Sequence, residues 1–195
     1  MLIRSISGIR GLVKEDLTEN TVIQYANALH NCLNPGVIYA GRDSRVSGET
    51  IIEIMIQELI RLGRTVIYCG IVPTPTIQYM VHTTEAVGGF IITASHNPPQ
   101  WNGFKFKPEY AGSASPEIVD ALERHVLSSE TRKYYKHVRW EQAMSQNIGS
   151  LIDPSLPYLQ HVSTLVDIDA IRNSGLRIVA DPMYGAGAGY FTTLL

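Results

Sequence analysis

Short apolar runs alternate with longer amphipathic segments along the first part of this 195-residue chain. Residues 37–40, 65–69 and 87–92 have the length and the branched or aromatic composition of buried strands. Between these runs, apolar residues recur at helical spacing in two segments, 18–33 and 47–62. Strands and helices that alternate in this way predict a three-layer α/β/α sandwich around a mixed, mainly parallel sheet.

The predicted elements have recognisable start and stop signals. Thr18 can cap the first helix, and Asn34-Pro-Gly36 ends it. A short helix is predicted after Pro73-Thr-Pro75, and residues 104–107 alternate as a half-buried strand does. Ser115-Pro116 places a cap before a proline in the first helical position, so a further helix is expected there.

The composition changes near residue 128, where a polar and charged stretch without periodicity begins. Such a stretch is typical of a segment that leaves a domain. We therefore predict a first domain at residues 1–130, a linker at 131–155 and the truncated start of a second, similar unit at 156–195.

The predicted second unit contains few elements. A helical pattern occurs near residues 157–166, an apolar run at 176–180 predicts a strand, and another helical pattern follows Gly189. One strand and two helices make a poor core. The sequence is therefore expected to be an amino-terminal fragment of a longer protein.

Composition and charge exclude several classes of function. The chain has 16 lysines plus arginines against 18 aspartates plus glutamates, a net charge of -2, which predicts no nucleic-acid partner. No apolar stretch is long enough for a membrane span, and the amino terminus lacks the apolar core of a secretory signal. Cys32 and Cys69 are expected to be reduced, buried side chains, which favours the cytoplasm.

The segment that carries chemistry follows residues 87–92 and reads Thr93-Ala-Ser-His-Asn-Pro-Pro-Gln-Trp-Asn-Gly-Phe-Lys105. Ser95 is expected at the carboxyl end of a buried strand, where open α/β sheets bind ligands, and Asn97-Pro98 forces a turn. His96 would point away from Ser95 in an extended segment, and a G-x-S-x-G elbow is missing, which disfavours a Ser-His-Asp hydrolase. A serine that accepts and returns a phosphoryl group is the interpretation that remains.

This segment is similar to the active-serine loop of the α-D-phosphohexomutases, the phosphoglucomutase and phosphomannomutase family, and it matches the family pattern T-[AG]-S-H-N-P…N-G-x-K at every fixed place. Four further segments follow the family order: Ser7-Gly-Ile-Arg-Gly11, Gly41-Arg-Asp-Ser-Arg45, Pro73-Thr-Pro75 and Asp181-Pro-Met-Tyr-Gly-Ala-Gly187. Two places depart from it, since Arg4-Ser-Ile6 replaces Phe-Gly-Thr and Tyr184 stands where histidine is frequent. The ordered set is far more specific than any single motif.

The resemblance implies a phosphohexomutase, most simply a phosphoglucomutase, that interconverts hexose 1-phosphate and hexose 6-phosphate. Phosphate on Ser95 would pass to the sugar phosphate substrate, which would then return its other phosphate, with glucose 1,6-bisphosphate as activator. Lys105, His96 and Arg10 are the implied catalytic residues, and Ser7, Arg10 and Ser95 are the implied substrate contacts. Mg²⁺ would be held by the phosphate on Ser95 and by ligands outside this chain, so the remaining domains of the same polypeptide are expected partners.

Each implied residue has a plainer alternative. Arg10 could be a surface arginine, Ser7 could satisfy a loop amide, and His96 could belong to a capped turn. Lys105 could act as a base through a lowered pKa, could only neutralise charge, or could be a solvated lysine on an edge strand. Lys107, which shares its face by alternation, makes that last alternative reasonable.

The function also has alternatives. The parent protein could be a phosphomannomutase or a phosphoglucosamine mutase, and the fragment alone is expected to be an inactive phosphate-binding domain. In Gly41-Arg-Asp-Ser-Arg45, two arginines flank Asp43. We expect this loop to support the serine loop by charged hydrogen bonds, although it could simply fix the turn from strand to helix.

Overall fold

The computed structural model describes residues 2–5, 8–128, 140–146 and 148–195. Ser7 and most of the polar stretch after residue 128 lie outside the described residues. The strands are β1 Ile3–Ser5, β2 Gly8–Leu12, β3 Val37–Arg42, β4 Thr65–Ile71, β5 Gly88–Ile92, β6 Trp101–Pro108 and β7 Gly149–Leu151. The helices are α1 Glu19–Cys32, α2 Val46–Arg61, α3 Thr74–Thr83, α4 Pro116–Ser128, α5 Trp140–Ser145, α6 Ser155–Leu165, α7 Ile168–Asn173 and α8 Tyr190–Leu194.

The seven strands form one mixed sheet in the order β1-β2-β6-β5-β3-β4-β7. The neighbours β5, β3, β4 and β7 are parallel, whereas β1, β2, β6 and β5 pair antiparallel in succession. Five strands therefore run in one direction, and β1 and β6 run in the other. This confirms the predicted α/β sandwich with a mixed, mainly parallel sheet.

Helices α1, α2 and α4 cover one face of the sheet. Their buried side chains include Leu29, Leu59 and Leu122, which belong to one apolar core with Phe90 and Phe104 from the strands. Each helix contributes a continuous apolar stripe, so its burial stabilises the sandwich by the removal of apolar surface from water.

Helix α3 packs on the opposite face, where Ile77 and Val81 are buried. Gly41 and Gly89 on neighbouring strands allow this close approach. A Cβ on Gly41 would lie 2.9 Å from Ile77 Cδ1, and a Cβ on Gly89 would lie 2.8 Å from Val81 Cγ2. The sheet is therefore covered on both faces, as a three-layer sandwich requires.

The predicted caps are present. Thr18 Oγ1 accepts a hydrogen bond from Thr21 N at 3.2 Å at the start of α1. Ser115 Oγ accepts one from Ile118 N at 3.4 Å at the start of α4. Local sequence signals therefore fix the starts of these helices.

The structure differs from the sequence predictions in the second unit and in the segment predicted as a linker. Residues 176–180 are not a strand, and Val179 is 95% exposed. An apolar run forms a strand only when a neighbour completes its hydrogen bonds, and the described residues offer this run none. Residues 131–155 include β7, which extends the sheet beside β4. The proposed domain boundaries stay a prediction.

The amino-terminal hairpin of β1 and β2 and the short helix α7 were not predicted. These elements are too short to show a period. No helix among the described residues combines the length and the apolar character that crossing a lipid bilayer requires.

Candidate active site

Ser95 stands in the loop that follows β5, at the edge of the sheet where its parallel strands end. Three backbone hydrogen bonds shape this loop: Thr93 N to Gly103 O at 3.0 Å, Asn97 N to Ala94 O at 3.1 Å and Trp101 N to Pro98 O at 3.0 Å. They turn the chain back into β6, which pairs antiparallel with β5. The predicted position of Ser95 at a strand's carboxyl end is therefore confirmed.

The backbone of Ser95 has a left-handed conformation, with φ of 58°. This region is uncommon for a residue with a Cβ, and such conformations occur where surrounding contacts hold them. Ser95 N donates a hydrogen bond to Thr93 Oγ1 at 2.9 Å, and Ser95 O accepts one from Arg45 Nη2 at 2.8 Å. The serine is thus held on both sides while it remains exposed to solvent.

Arg45 lies under the serine loop and contacts four of its carbonyl groups. Nη2 donates to Ser95 O at 2.8 Å and to Asn97 O at 2.6 Å. Nη1 donates to Pro98 O at 2.9 Å and to Trp101 O at 3.1 Å. These bonds agree with the expectation that this segment supports the serine loop.

Asp43 orients Arg45. Its Oδ2 accepts a hydrogen bond from Arg45 Nε at 3.2 Å, and its Oδ1 accepts one from Arg45 N at 3.0 Å. Asp43 N in turn donates to Ile92 O at 2.9 Å, which ties this carboxylate to the end of β5. The ion pair is mostly buried, with side-chain exposures of 14% for Arg45 and 18% for Asp43.

Arg10 reaches the serine loop from β2. In the antiparallel pairing of β2 with β6, Arg10 is opposite Gly103. Its Nη1 donates a hydrogen bond to Asn97 Oδ1 at 3.2 Å. The glycine permits this approach, because a Cβ on Gly103 would overlap Ile9 O. The glycine of the Asn-Gly-x-Lys pattern therefore has a physical role in placing Arg10.

Lys105 lies on β6, which is an inner strand between β2 and β5. This excludes the alternative of a lysine on an edge strand, and Lys107 on the same strand is only 6% exposed. Burial lowers the pKa of Lys105, the nearby charge of Arg10 lowers it further, and Asp43 opposes the shift. The charges of Arg10 and Asp43 therefore both act on the Lys105 ammonium, in opposite directions.

A cleft of about 830 Å³ opens in front of Ser95. It is lined by residues of the first unit and by residues of the segment that resembles the second-domain motif. The lining residues include Asp43, Ser44, Arg45, Ser95, His96, Asn97, Pro182, Met183, Gly185 and Ala186. The cleft is large enough for a sugar phosphate, and Ser95 and His96 in its lining are both exposed.

Ser95 and His96 both line the cleft, Arg10 is hydrogen-bonded to Asn97 of the same loop, and Lys105 lies on the adjacent strand β6, whereas Ser7 lies outside the described residues. Sequence reasoning did not single out Thr93 as the acceptor for Ser95 N or Asn97 as the partner of Arg10. Both stand at fixed places of the serine-loop pattern, which is the signal that could have identified them. Among the described residues, no group of three or more His, Cys, Asp and Glu side chains is placed to hold a metal.

Comparisons with known proteins agree with this geometry. The family model for phosphoglucomutase/phosphomannomutase, alpha/beta/alpha domain I, matches residues 2–133. A phosphoglucomutase/phosphomannomutase of Thermococcus kodakarensis is 32% identical over 188 residues, which cover 93% of this chain and 39% of the relative. A relative in Thermococcus gammatolerans, named a probable phosphoglucosamine mutase, is 34% identical over 184 residues, which cover 93% of this chain and 38% of the relative.

Solved structures show the same fold. The crystal structure of a protein assigned as a phosphomannomutase, from Thermus thermophilus, has a TM-score of 0.84 and 28% identity, and the match covers 99% of this chain and 42% of that chain. The chain therefore spans about two fifths of the length of the relatives it matches.

Proposed function

The chain belongs to the phosphoglucomutase/phosphomannomutase family, and we propose that it is the serine-bearing part of a phosphohexomutase that interconverts hexose 1-phosphate and hexose 6-phosphate. The observation that carries this proposal is the placement of Ser95. Ser95 lines the cleft with its backbone held in a left-handed conformation, Arg10 is bound to the same loop, and Lys105 lies on the adjacent strand. This is an exposed nucleophile beside fixed cations, which phosphoryl transfer requires.

In the proposed reaction, Ser95 Oγ carries the phosphoryl group at rest. A hydroxyl oxygen of the sugar phosphate attacks phosphorus, and the bond between phosphorus and Ser95 Oγ breaks with its electron pair returning to Oγ. The product is a sugar bisphosphate. After it turns over in the cleft, Ser95 Oγ attacks its other phosphoryl group, so that the phosphate has in effect moved between the two ends of the sugar.

Lys105 serves as the proton acceptor for the attacking hydroxyl. Its lowered pKa increases the fraction of neutral amine at neutral pH, and only the neutral amine can accept a proton. The proton returns to the sugar oxygen that becomes free in the second transfer. Arg10 and the protonated form of Lys105 offset the charge on the transferred oxygens. His96, exposed beside Ser95, and Ser7 are proposed to orient the substrate.

Magnesium is proposed as the metal, but this chain does not provide a complete site. Asp43 is a carboxylate that lines the cleft, and both its oxygens accept hydrogen bonds from Arg45. The described residues therefore do not fit a magnesium ion by themselves, because the ion prefers several free oxygen ligands. We propose that the phosphate on Ser95 supplies ligands on one side and that the others come from further domains of a longer polypeptide.

Glucose is the proposed hexose, and glucose 1,6-bisphosphate is the proposed activator. A second candidate, glucosamine phosphate, is favoured by the name of the Thermococcus gammatolerans relative. Turnover of the 1-phosphates of glucose, mannose and glucosamine by the protein extended to the length of its relatives would rank these substrates. The cytoplasm is the proposed compartment, supported by Cys32 and Cys69, which are both free thiols.

Phosphate mapping tests the role of Ser95. After incubation of the extended protein with glucose 1,6-bisphosphate, the peptide that contains Ser95 should carry one phosphoryl group, and Ser95→Ala should abolish this label. Ser44→Ala is the matched control, because Ser44 is exposed in the same cleft and should leave the label in place. Unchanged labelling of Ser95→Ala would overturn the proposed function.

A further inference from the structure

The guanidinium of Arg45 has no donor left for a substrate. A guanidinium has five N–H donors, and in Arg45 Nε binds Asp43 while Nη1 and Nη2 bind four carbonyl oxygens of the serine loop. An arginine that bound the transferred phosphate would need to direct at least one donor into the cleft. Arg45 lines the cleft, yet all its donors are directed at the protein.

We infer that Arg45 is a positioning residue, which acts on phosphoryl transfer by fixing the backbone that carries Ser95. This inference rests on the proposed function for its catalytic part only. The structural part, that Arg45 orders the serine loop, stands on the hydrogen bonds alone.

The contacts explain why Ser95 stays in its left-handed conformation. Thr93 Oγ1 fixes the peptide before the serine, and Arg45 Nη2 fixes the peptide after it. A residue with a Cβ would otherwise relax towards negative φ, and the side-chain oxygen would then point elsewhere. Arg45 therefore decides the direction in which Ser95 Oγ is presented to the cleft.

The same contacts also change the charge around the loop. Four carbonyl oxygens carry partial negative charge within a few residues of the serine, and a phosphoserine carries about -1.5 to -2 at neutral pH. Binding to a guanidinium offsets part of that carbonyl charge. Arg45 is fixed by Asp43, and the charge of Asp43 also acts on Lys105, so one ion pair connects the serine loop with the proposed base.

Lysine could not replace this contact. An ammonium is a compact charge with three donors on a flexible stem, whereas the planar fork of arginine reaches four carbonyl groups and one carboxylate at fixed directions. Arg45→Lys should therefore keep the positive charge but lose most of the hydrogen bonds that order the serine loop. Arg61→Ala is the control, because Arg61 lies at the far end of α2 from the loop and pairs with buried Glu58.

The first experiment does not require catalysis. Amide exchange is measured by NMR in the 195-residue chain at Ser95, Asn97 and Trp101, whose N–H groups are hydrogen-bonded in the loop. Arg45→Ala should accelerate their exchange at least about tenfold through local opening. The exchange rates in Arg45→Lys should lie between those of the unsubstituted chain and Arg45→Ala. Added guanidinium should restore slow exchange in Arg45→Ala. Arg61→Ala should leave these amides unchanged even if it lowers the melting temperature. Unchanged exchange in Arg45→Ala would overturn the structural part.

The second experiment uses the protein extended to the length of its relatives. Misplacing the nucleophile by a small distance should lower the kcat of Arg45→Ala by about 100-fold with little change in KM, and guanidinium should restore part of the rate. A raised KM with unchanged kcat would mean that Arg45 binds substrate, which overturns the inference. If the unsubstituted protein has no mutase activity while the exchange results hold, the proposed function fails and the structural part of the inference stands.

Discussion

At the scale of single residues, the cations Arg45 and Lys105 differ in what they contact. Arg45 is saturated by protein acceptors, whereas Lys105 is half-buried on an inner strand with a lowered pKa. The first cation stabilises the loop, and the second carries a charge that burial disfavours. Lys105 therefore lowers stability where it is proposed to raise activity, which is a common relation in active sites.

Replacement of Lys105 by methionine tests this relation. Lys105→Met keeps most of the side-chain stem but removes the desolvated charge beside Arg10, so the free energy of unfolding should rise at neutral pH. In the extended protein, kcat should fall by about 100-fold or more, because the proton acceptor is lost. A raised KM with an unchanged kcat would contradict the proposed role and leave Lys105 a binding residue.

The pH dependence has a definite sign. The folded protein holds the Lys105 proton less tightly than the unfolded chain, whose pKa has its ordinary value of 10.5. At pH values between the lowered pKa of the folded state and the ordinary pKa, the unfolded state binds more protons than the folded state. The free energy of unfolding of the unsubstituted protein therefore increases as the pH rises through this range. Lys105→Met should be more stable than the unsubstituted protein at neutral pH, and this difference in the free energy of unfolding should shrink as the pH rises. Urea unfolding at several pH values measures it. An advantage that grows with pH would contradict the burial of charge at this position.

At the scale of secondary-structure elements, the site depends on how closely β2 approaches β6. Arg10 on β2 comes near the serine loop because Gly103 on β6 leaves room for Ile9 O. The order of the sheet then places β6 between β2 and β5, so that Arg10 and Lys105 lie beside the loop that follows β5. The parallel strands place Ser95, and the antiparallel pairings of β6 with β2 and β5 place Arg10 and Lys105.

Gly103→Ala tests this element-scale contact. Its Cβ would overlap Ile9 O, so β2 must move away from β6, and the free energy of unfolding should fall by about 1–3 kcal/mol. The measurement is urea unfolding of the 195-residue chain. Gly187→Ala is the matched control, because its Cβ would meet nothing within 4 Å, and it should change stability little. Equal stabilities of the two variants would show that the strands adjust without cost.

At the scale of the whole molecule, the chain has one well-covered sheet and a second unit with much exposed apolar surface. The exposed side chains there include Leu156, Leu165, Leu176, Val179 and Phe191. The cleft in front of Ser95 is lined by residues of both units. The described residues contain no group of carboxylates placed to hold magnesium. We therefore expect the proposed reaction to need further domains.

The 195-residue chain alone should fold and show no mutase turnover. Preorganised charge is the main source of rate in phosphoryl transfer, and the chain supplies only Arg10 and Lys105 as proposed catalytic cations. The measurement is a coupled assay for glucose 6-phosphate with magnesium and glucose 1,6-bisphosphate, on chain whose fold is confirmed by a cooperative melt. Turnover close to that of the extended protein would show that the site is self-contained here.

Patterns in the sequence predicted the longer helices, most of the strands and the position of the proposed nucleophile. Apolar period, caps and turn residues act between near neighbours, so they predicted α1 to α4, the main strands and the position of Ser95 at the end of β5. The family motifs added Arg10, His96 and Lys105 as candidates. The expectation that the loop with Asp43 supports Ser95 came from charge and position alone.

Contacts between segments that are far apart in the sequence could not be predicted from local patterns. The insertion of β6 between β2 and β5 and the addition of β7 at the edge depend on pairings between segments far apart in sequence. The same is true of Arg45, whose five donors meet partners as far as 56 positions away. Residues 176–180 show the converse, since their local pattern predicts a strand but no described neighbour pairs with them. Local propensity is a property of neighbouring residues, whereas a sheet or a saturated guanidinium exists only when remote groups are brought within hydrogen-bonding distance.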